Sequence, residues 1–240
     1  MAGRSPVTWT GYGLRMRDLY YDQLDSIVDD LVAMTGAVRD AVRESTEALL
    51  SAQADAAESV ISGDRAIDAS REQIEDRAMQ LLATQQPVAG DLRMLVAALR
   101  MVADLERMGD LCVHIAKVAR MRIPDIAVPE TSRPTIARMA EVAERMVGSA
   151  SRILAERDVQ AALELEDEDD EMDQLRRLLF RMLLSDDWAY GVEPAIDIAL
   201  LGRYYERIGD HAVSMGRRVV YLVTGELPTP QQDTPAVRSL

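Results

Sequence analysis

Apolar residues recur along this chain at intervals of three, four, seven and eight, and the pattern holds over long stretches. Leu19, Leu24, Ile27, Leu31, Met34, Val38, Val42 and Leu49 trace one such stripe from about Leu14 onward. An apolar face that returns every 3.6 residues marks an amphipathic helix. A second helix carries Ile67, Ile74, Met79 and Leu81, with Gly63 marking an irregularity near it. Thr84 reads as an N-cap for a third helix over about 87–122, because Pro87 suits a first turn. Pro124, Pro129 and Pro134 make residues 123–133 the clearest break in the chain. Beyond it the pattern predicts helices over about 134–157, 158–185 and 192–224, the last opening near Pro194 and stopped by Gly225. The expected fold is all-α: two tandem three-helix repeats forming one elongated six-helix bundle domain. Repeat one covers 14–122 and repeat two covers 134–225, joined by the proline-rich linker. Residues 1–13 read as a flexible leader and 226–240 as a tail.

The duplication is clearest in a five-residue phrase. Glu106-Arg107-Met108-Gly109-Asp110 returns 100 positions later as Glu206-Arg207-Ile208-Gly209-Asp210. Carboxylates four apart lie about 40° apart on a helix and point to one side. At about 100° per residue, Leu92, Leu95, Leu99, Val102 and Val113 fall within about 40° of Glu106. Both acids are therefore expected on the apolar stripe. Val192, Ala195, Ala199 and Val213 occupy the equivalent stripe of the second copy. Asp64 and Asp68 on the second helix, and Asp169 and Asp173 on the fifth, form a second acidic row. If each second helix runs antiparallel to the third, four carboxylates could converge in each repeat. All-oxygen donors suit hard cations such as Mg²⁺, Mn²⁺ or iron. The plainer reading is a solvated acidic face, or neutralisation by Arg107 and Arg207. No Glu-x-x-His pair of the di-iron bundle type occurs, and His114 reads as a packing residue. Most of the run Glu164 to Asp173 reads as a solvated face or local helix end. Gly109 and Gly209 imply close approach of a neighbouring helix or a ligand, with tight helix packing the simpler account.

Composition narrows the function classes. The net charge of −14 excludes nucleic acid as the main partner and argues against binding anionic membranes. Cys112 is the single cysteine, so neither an intrachain disulfide nor a Cys-type zinc site is available. It reads as a small buried hydrophobe. No apolar run of transmembrane length and no signal core are visible, so a cytoplasmic location is the default expectation. No Ser-His-Asp or Cys-His arrangement and no phosphate-binding Gly-rich loop is found, so the expectation is a protein that is not an enzyme.

Several ordered motifs resemble the PhoU family. They are Met16-Arg17-Asp18-Leu19-Tyr20, Leu81-Leu82-Ala83-Thr84-Gln85-Gln86-Pro87-Val88-Ala89, Asp104 to Asp110, Glu206 to Ala212, and Val220-Tyr221-Leu222-Val223-Thr224-Gly225-Glu226. The resemblance spans about residues 14–226. It implies metal clusters at Glu106 with Asp110 and at Glu206 with Asp210, and by weaker carry-over at Asp64, Asp68, Asp169 and Asp173. The metal would be divalent or iron-type: Fe, Zn, Mn or Mg. The resemblance also implies a cytoplasmic negative regulator of phosphate uptake and phosphate-starvation signalling. Its partners would be the ATPase of a phosphate ABC transporter and a sensor histidine kinase, it would form a homodimer, and it would meet membranes only through partners. Two departures, Arg203 and Tyr204, weaken the second metal site. The competing classes are a multimetal carboxylate hydrolase or oxidase and a metal-buffering protein.

Overall fold

The computed structural model describes residues 10–226 of the chain. Six helices follow in order: α1 Thr10–Ser51, α2 Ala54–Gln85, α3 Ala89–Arg122, α4 Arg133–Glu156, α5 Val159–Leu183 and α6 Val192–Thr224. There is no strand among the described residues. The first helix begins at Thr10, inside the segment expected to be a leader, and α2 runs unbroken through Gly63. The remaining leader residues and nearly all of the tail, residues 1–9 and 227–240, lie outside the described residues.

Local chemistry sets most boundaries. Gln86 in the left-handed region ends α2, and Pro87-Val88 carries the chain into α3. Thr84 is therefore no N-cap: its hydroxyl donates to the Gln80 carbonyl 2.7 Å away, inside the last turn of α2. Pro134 sits in the first turn of α4, where its missing N–H costs nothing. Asp158 caps α5, its side chain accepting from the Ala161 N–H at 3.0 Å. Gly225 ends α6 at φ +78°, its N–H bonded to the Tyr221 carbonyl, as a C-terminal stop requires.

Within each repeat the three helices pack on one another, consecutive helices running antiparallel. Across the middle, equivalent helices meet: α1 packs on α4 and α3 on α6. The outer helices α2 and α5 touch only their own repeat. One continuous core results, built from Leu, Val, Ile, Ala and Met. Its stripe on α1 is the expected one from Leu24 to Leu49, but Leu19 and Met79 are more than half exposed. Each stands five residues from an inward neighbour, Leu24 or Ile74, which turns it about 140° away from the core. Ile67, Ile74, Ala78 and Leu81 carry the buried face of α2 instead.

The α3–α6 seam is polar as well as apolar. Asp104 on α3 accepts from Arg218 Nη2 at 2.8 Å and faces His211 Nδ1 at 3.0 Å, both on α6. Farther along, Arg122 reaches Asp197 at 2.7 Å and Glu193 at 2.6 Å. His114, exposed rather than packed inside, stacks on the Tyr204 ring with centroids 5.4 Å apart. Asp104 and Tyr204 occupy equivalent places in the two repeats, and each faces the opposite half. Tyr205, fully buried, hydrogen-bonds Thr46 of α1 at 2.8 Å.

A buried acid held by an arginine and a histidine is costly to remove, because its partners are left desolvated. Asp104→Ala is expected to destabilise the protein by roughly 2–4 kcal/mol. Glu141→Ala, which removes an exposed pair with Arg138, is expected to cost no more than about 1 kcal/mol. Urea unfolding monitored by circular dichroism measures both; equal losses would remove the special weight of the Asp104 junction.

Candidate metal centres

In repeat one the Glu106/Asp110 pair lies on α3 and the Asp64/Asp68 pair on α2. Between Glu106 and Asp110 sits Gly109. A Cβ there would lie 3.1 Å from Ile67 Cδ1 and 3.3 Å from an Asp64 carboxylate oxygen. The missing side chain thus lets α2 pack close and brings the Asp64 carboxylate over the α3 pair. Burial raises the Asp64 pKa first, and the charges of Asp68, Asp110 and Glu106 raise it further, with Lys117 opposing. The four acids therefore share one electrostatic site.

Repeat two reproduces the arrangement. A Cβ on Gly209 would lie 3.2 Å from the Met146 sulfur and 3.5 Å from an Asp169 carboxylate oxygen. Burial, then Asp210, Asp173, Glu206 and Asp170, push the Asp169 carboxyl up to about 6. Asp210 is raised as well, by burial and then by Glu206, against the opposing charges of Arg203 and His211.

Each half thus has the same three-helix fold and one acidic cluster. The PhoU domain family model matches residues 31–119 and again residues 136–219, one match per repeat. The chain belongs to the PhoU family. A Mycobacterium tuberculosis protein described as phosphate-specific transport system accessory protein PhoU homolog 1 is 45% identical over 217 residues, covering 90% of this chain and 98% of that protein. A Deinococcus radiodurans protein described as a homolog of the same accessory protein is 32% identical over 216 residues, covering 88% and 99%. The crystal structure of PhoU from Pseudomonas aeruginosa superposes with a TM-score of 0.79 at 28% identity, over 86% of this chain and all of that one. That of the phosphate transport system regulatory protein PhoU from Streptococcus pneumoniae gives 0.79 at 24% identity over 88% and 99%, a likeness of fold.

In this PhoU chain the two clusters share a frame and differ in counter-charge. Glu106 has one cation nearby, Arg107 at 3.6 Å, and its side chain is 24% exposed. Glu206 is 9% exposed and held on both oxygens, by Arg176 at 3.3 Å and by a close contact with Arg203. Arg203 also lies 3.8 Å from Asp210. Arg203 thus places a positive charge within the second cluster. Tyr204 has no part in this, since it stacks across the seam. Arg176 was not foreseen, although a signal existed: it follows Asp173 by three residues, as Arg71 follows Asp68. In repeat one Arg71 turns to Glu75 at 3.0 Å and leaves Glu106 alone.

Three further expectations change. The Glu106 and Asp110 carboxylates sit at the border of the apolar stripe, with Leu92 largely exposed on the same line. In repeat two Val192 and Asp210 are exposed and Ala195 and Ala199 are half-buried, so of the expected stripe only Glu206 and Val213 are buried. The acidic run on α5 is a solvated face only in part, at the exposed Glu164, Asp167 and Asp170. Glu166 pairs with Arg217, Glu168 with Arg145, and Glu171 with Arg138 and Arg145, which fastens α5 to α4 and α6. Cys112 is fully buried, and burial pushes its thiol up.

Donor chemistry and charge fit a hard cation at either cluster: all ligands are carboxylate oxygens, and their mutual repulsion is relieved by positive charge. Among the described residues no group of three or more His, Cys, Asp or Glu side chains is already arranged to hold an ion. Binding would have to draw the carboxylates together.

The raised acid gives a pH test. An acid whose folded value exceeds its unfolded one costs stability once ionised, so this contribution falls away as pH rises from about 4 to about 6. In metal-free protein Asp169→Asn should raise Tm at pH 7 by roughly 2–4 °C, allowing for solvent screening. The gain should shrink towards pH 4. Calorimetry from pH 4 to 8 checks this, and a gain independent of pH would mean that Asp169 is not repelled by its neighbours.

Proposed function

We propose that this chain is a negative regulator of phosphate uptake and of phosphate-starvation signalling, acting by binding other proteins. The observation that carries the reading is its likeness, over 90% of its length, to a protein described as accessory to phosphate-specific transport. The partners in this reading are the ATPase of a phosphate ABC transporter and a sensor histidine kinase, and the protein works in the cytoplasm as a homodimer. No helix among the described residues is long and apolar enough to cross a membrane, so contact with the membrane would run through partners. A hydrolase, an oxidase or a metal buffer has no observation of its own in its favour, and the relatives are described as transport accessory and regulatory proteins.

The proposal includes a hard cation at the first cluster, held by Glu106 and Asp110 with Asp64 and Asp68. Support comes from Asp64, raised by burial and then by Asp68, Asp110 and Glu106, and from Glu106 having one arginine at 3.6 Å where Glu206 is held by two. A cation there would tie α2 to α3 by neutralising both rows.

Deleting the gene should derepress phosphate-starvation transcripts and phosphate uptake in phosphate-rich medium. Unchanged transcripts and uptake would sink the regulatory reading. For the metal, Glu106→Gln with Asp110→Asn should lower bound Mn or Fe per chain after loading and dialysis, measured by mass spectrometry of the elements. Glu206→Gln with Asp210→Asn should lower it less. Metal content untouched by the first pair of substitutions rejects the first cluster as a site.

A further inference from the structure

A groove of 420 Å³ lies at the junction of α2, α3 and α6, sharing Glu106 with the first acidic cluster. Arg71, Arg100, Arg107 and Arg218 line it against three carboxylates, Glu75, Asp104 and Glu106. A positive balance is against the trend of a chain with 41 acidic and 27 basic residues. The acids are already engaged. Glu75 takes Arg71 at 3.0 Å, and Asp104 is shared by Arg218 and His211. Glu106 stands beside Arg107 and contributes to the field that raises Asp64.

The donors are not all engaged. Among the described residues Arg100 is exposed and makes no ion pair or side-chain hydrogen bond. The Arg71 Nε is buried with no acceptor. An unmet buried donor costs free energy, while the rest of this guanidinium lies 3.0 Å from Glu75 and 3.8 Å from Glu72. Planar guanidinium groups match the oxygen spacing of a tetrahedral oxyanion and bind it by charge-assisted hydrogen bonds.

We infer that this groove binds a phosphate-type oxyanion, with Arg100 and Arg71 as direct donors and Arg107 and Arg218 supplying positive field. The ligand is either free inorganic phosphate or a phosphoryl group carried on a partner protein. The equivalent place in repeat two is apolar. Leu200, Phe180 and Tyr204 stand where Arg100, Glu75 and Asp104 stand, and the pocket there is lined by Leu179, Phe180, Leu183 and Ile198 beside Arg176. That place therefore offers no second copy of the site.

Calorimetric titration of the full chain with inorganic phosphate, and separately with N-acetyl-O-phosphoserine amide, tests the inference at constant ionic strength. One site per chain is expected for at least one probe, and the tighter probe identifies the source: free ion or protein-borne phosphoryl group. Arg100→Gln should weaken binding about tenfold, as loss of a charged hydrogen bond predicts. Arg71→Gln should do the same, and where that variant fails to fold the exposed Arg100 variant decides. Arg152→Gln, an equal charge change in the groove between α1 and α4, should leave binding unchanged. The inference is overturned if neither probe binds at millimolar concentration, or if Arg152→Gln weakens binding as much as Arg100→Gln.

Discussion

Close approach of two helices at a glycine links packing and charge in this molecule. At Gly109 the Ile67 side chain of α2 rests on the α3 backbone, and at Gly209 Met146 of α4 does so on α6. The same absent side chains admit Asp64 and Asp169 to within van der Waals reach. At Gly109 a larger residue would crowd Ile67 and Asp64 of the outer helix, whereas at Gly209 it would crowd Met146 of α4 and meet Asp169 only in ordinary contact. Packing alone would favour that close contact, since apolar contact and dispersion increase with proximity. Electrostatics oppose it, because four like charges are gathered in partly desolvated surroundings. The raised Asp64 and Asp169 record that conflict, and burial of Ile67 and Met172 beside the acids keeps the helices together in spite of it.

The helices were legible in the sequence because each is long enough to repeat its apolar stripe many times, and the proline cluster and Gly225 mark real ends. What misled were single residues. Leu19 and Met79 are apolar but fall five residues from the stripe, where spacing rather than hydrophobicity decides burial. Thr84 has the chemistry of an N-cap, yet inside a helix its hydroxyl finds the carbonyl one turn back. The acidic groups were found because they repeat in register. Their degree of burial was not, since the stripe on α3 is covered unevenly: α2 overlies Gly109 while Glu106 and Asp110 lie at its edge. The α5 run was misjudged for a related reason. Its arginine partners sit on α4 and α6, and no local pattern on α5 announces partners on other helices.

The two repeats have kept their packing and changed their charges, and this separates the roles open to each half. Glycine, the acidic pair and the acid row of the outer helix persist in both. Around that frame, Ala103 became Arg203 or the reverse, and Arg71 and Arg176 chose different acids. Glu206 is consequently locked by two guanidiniums, whereas Glu106 has a single cation at 3.6 Å. An ion entering the second cluster would have to displace an arginine from a side chain that is almost fully buried. An ion entering the first meets Glu106 and Asp110 paired only with the exposed Arg107. The same divergence leaves basic lining beside Glu106 and apolar lining beside Glu206. Basic lining thus lies beside the acids of the first half, while in the second half the acidic run is bridged to α4 and α6.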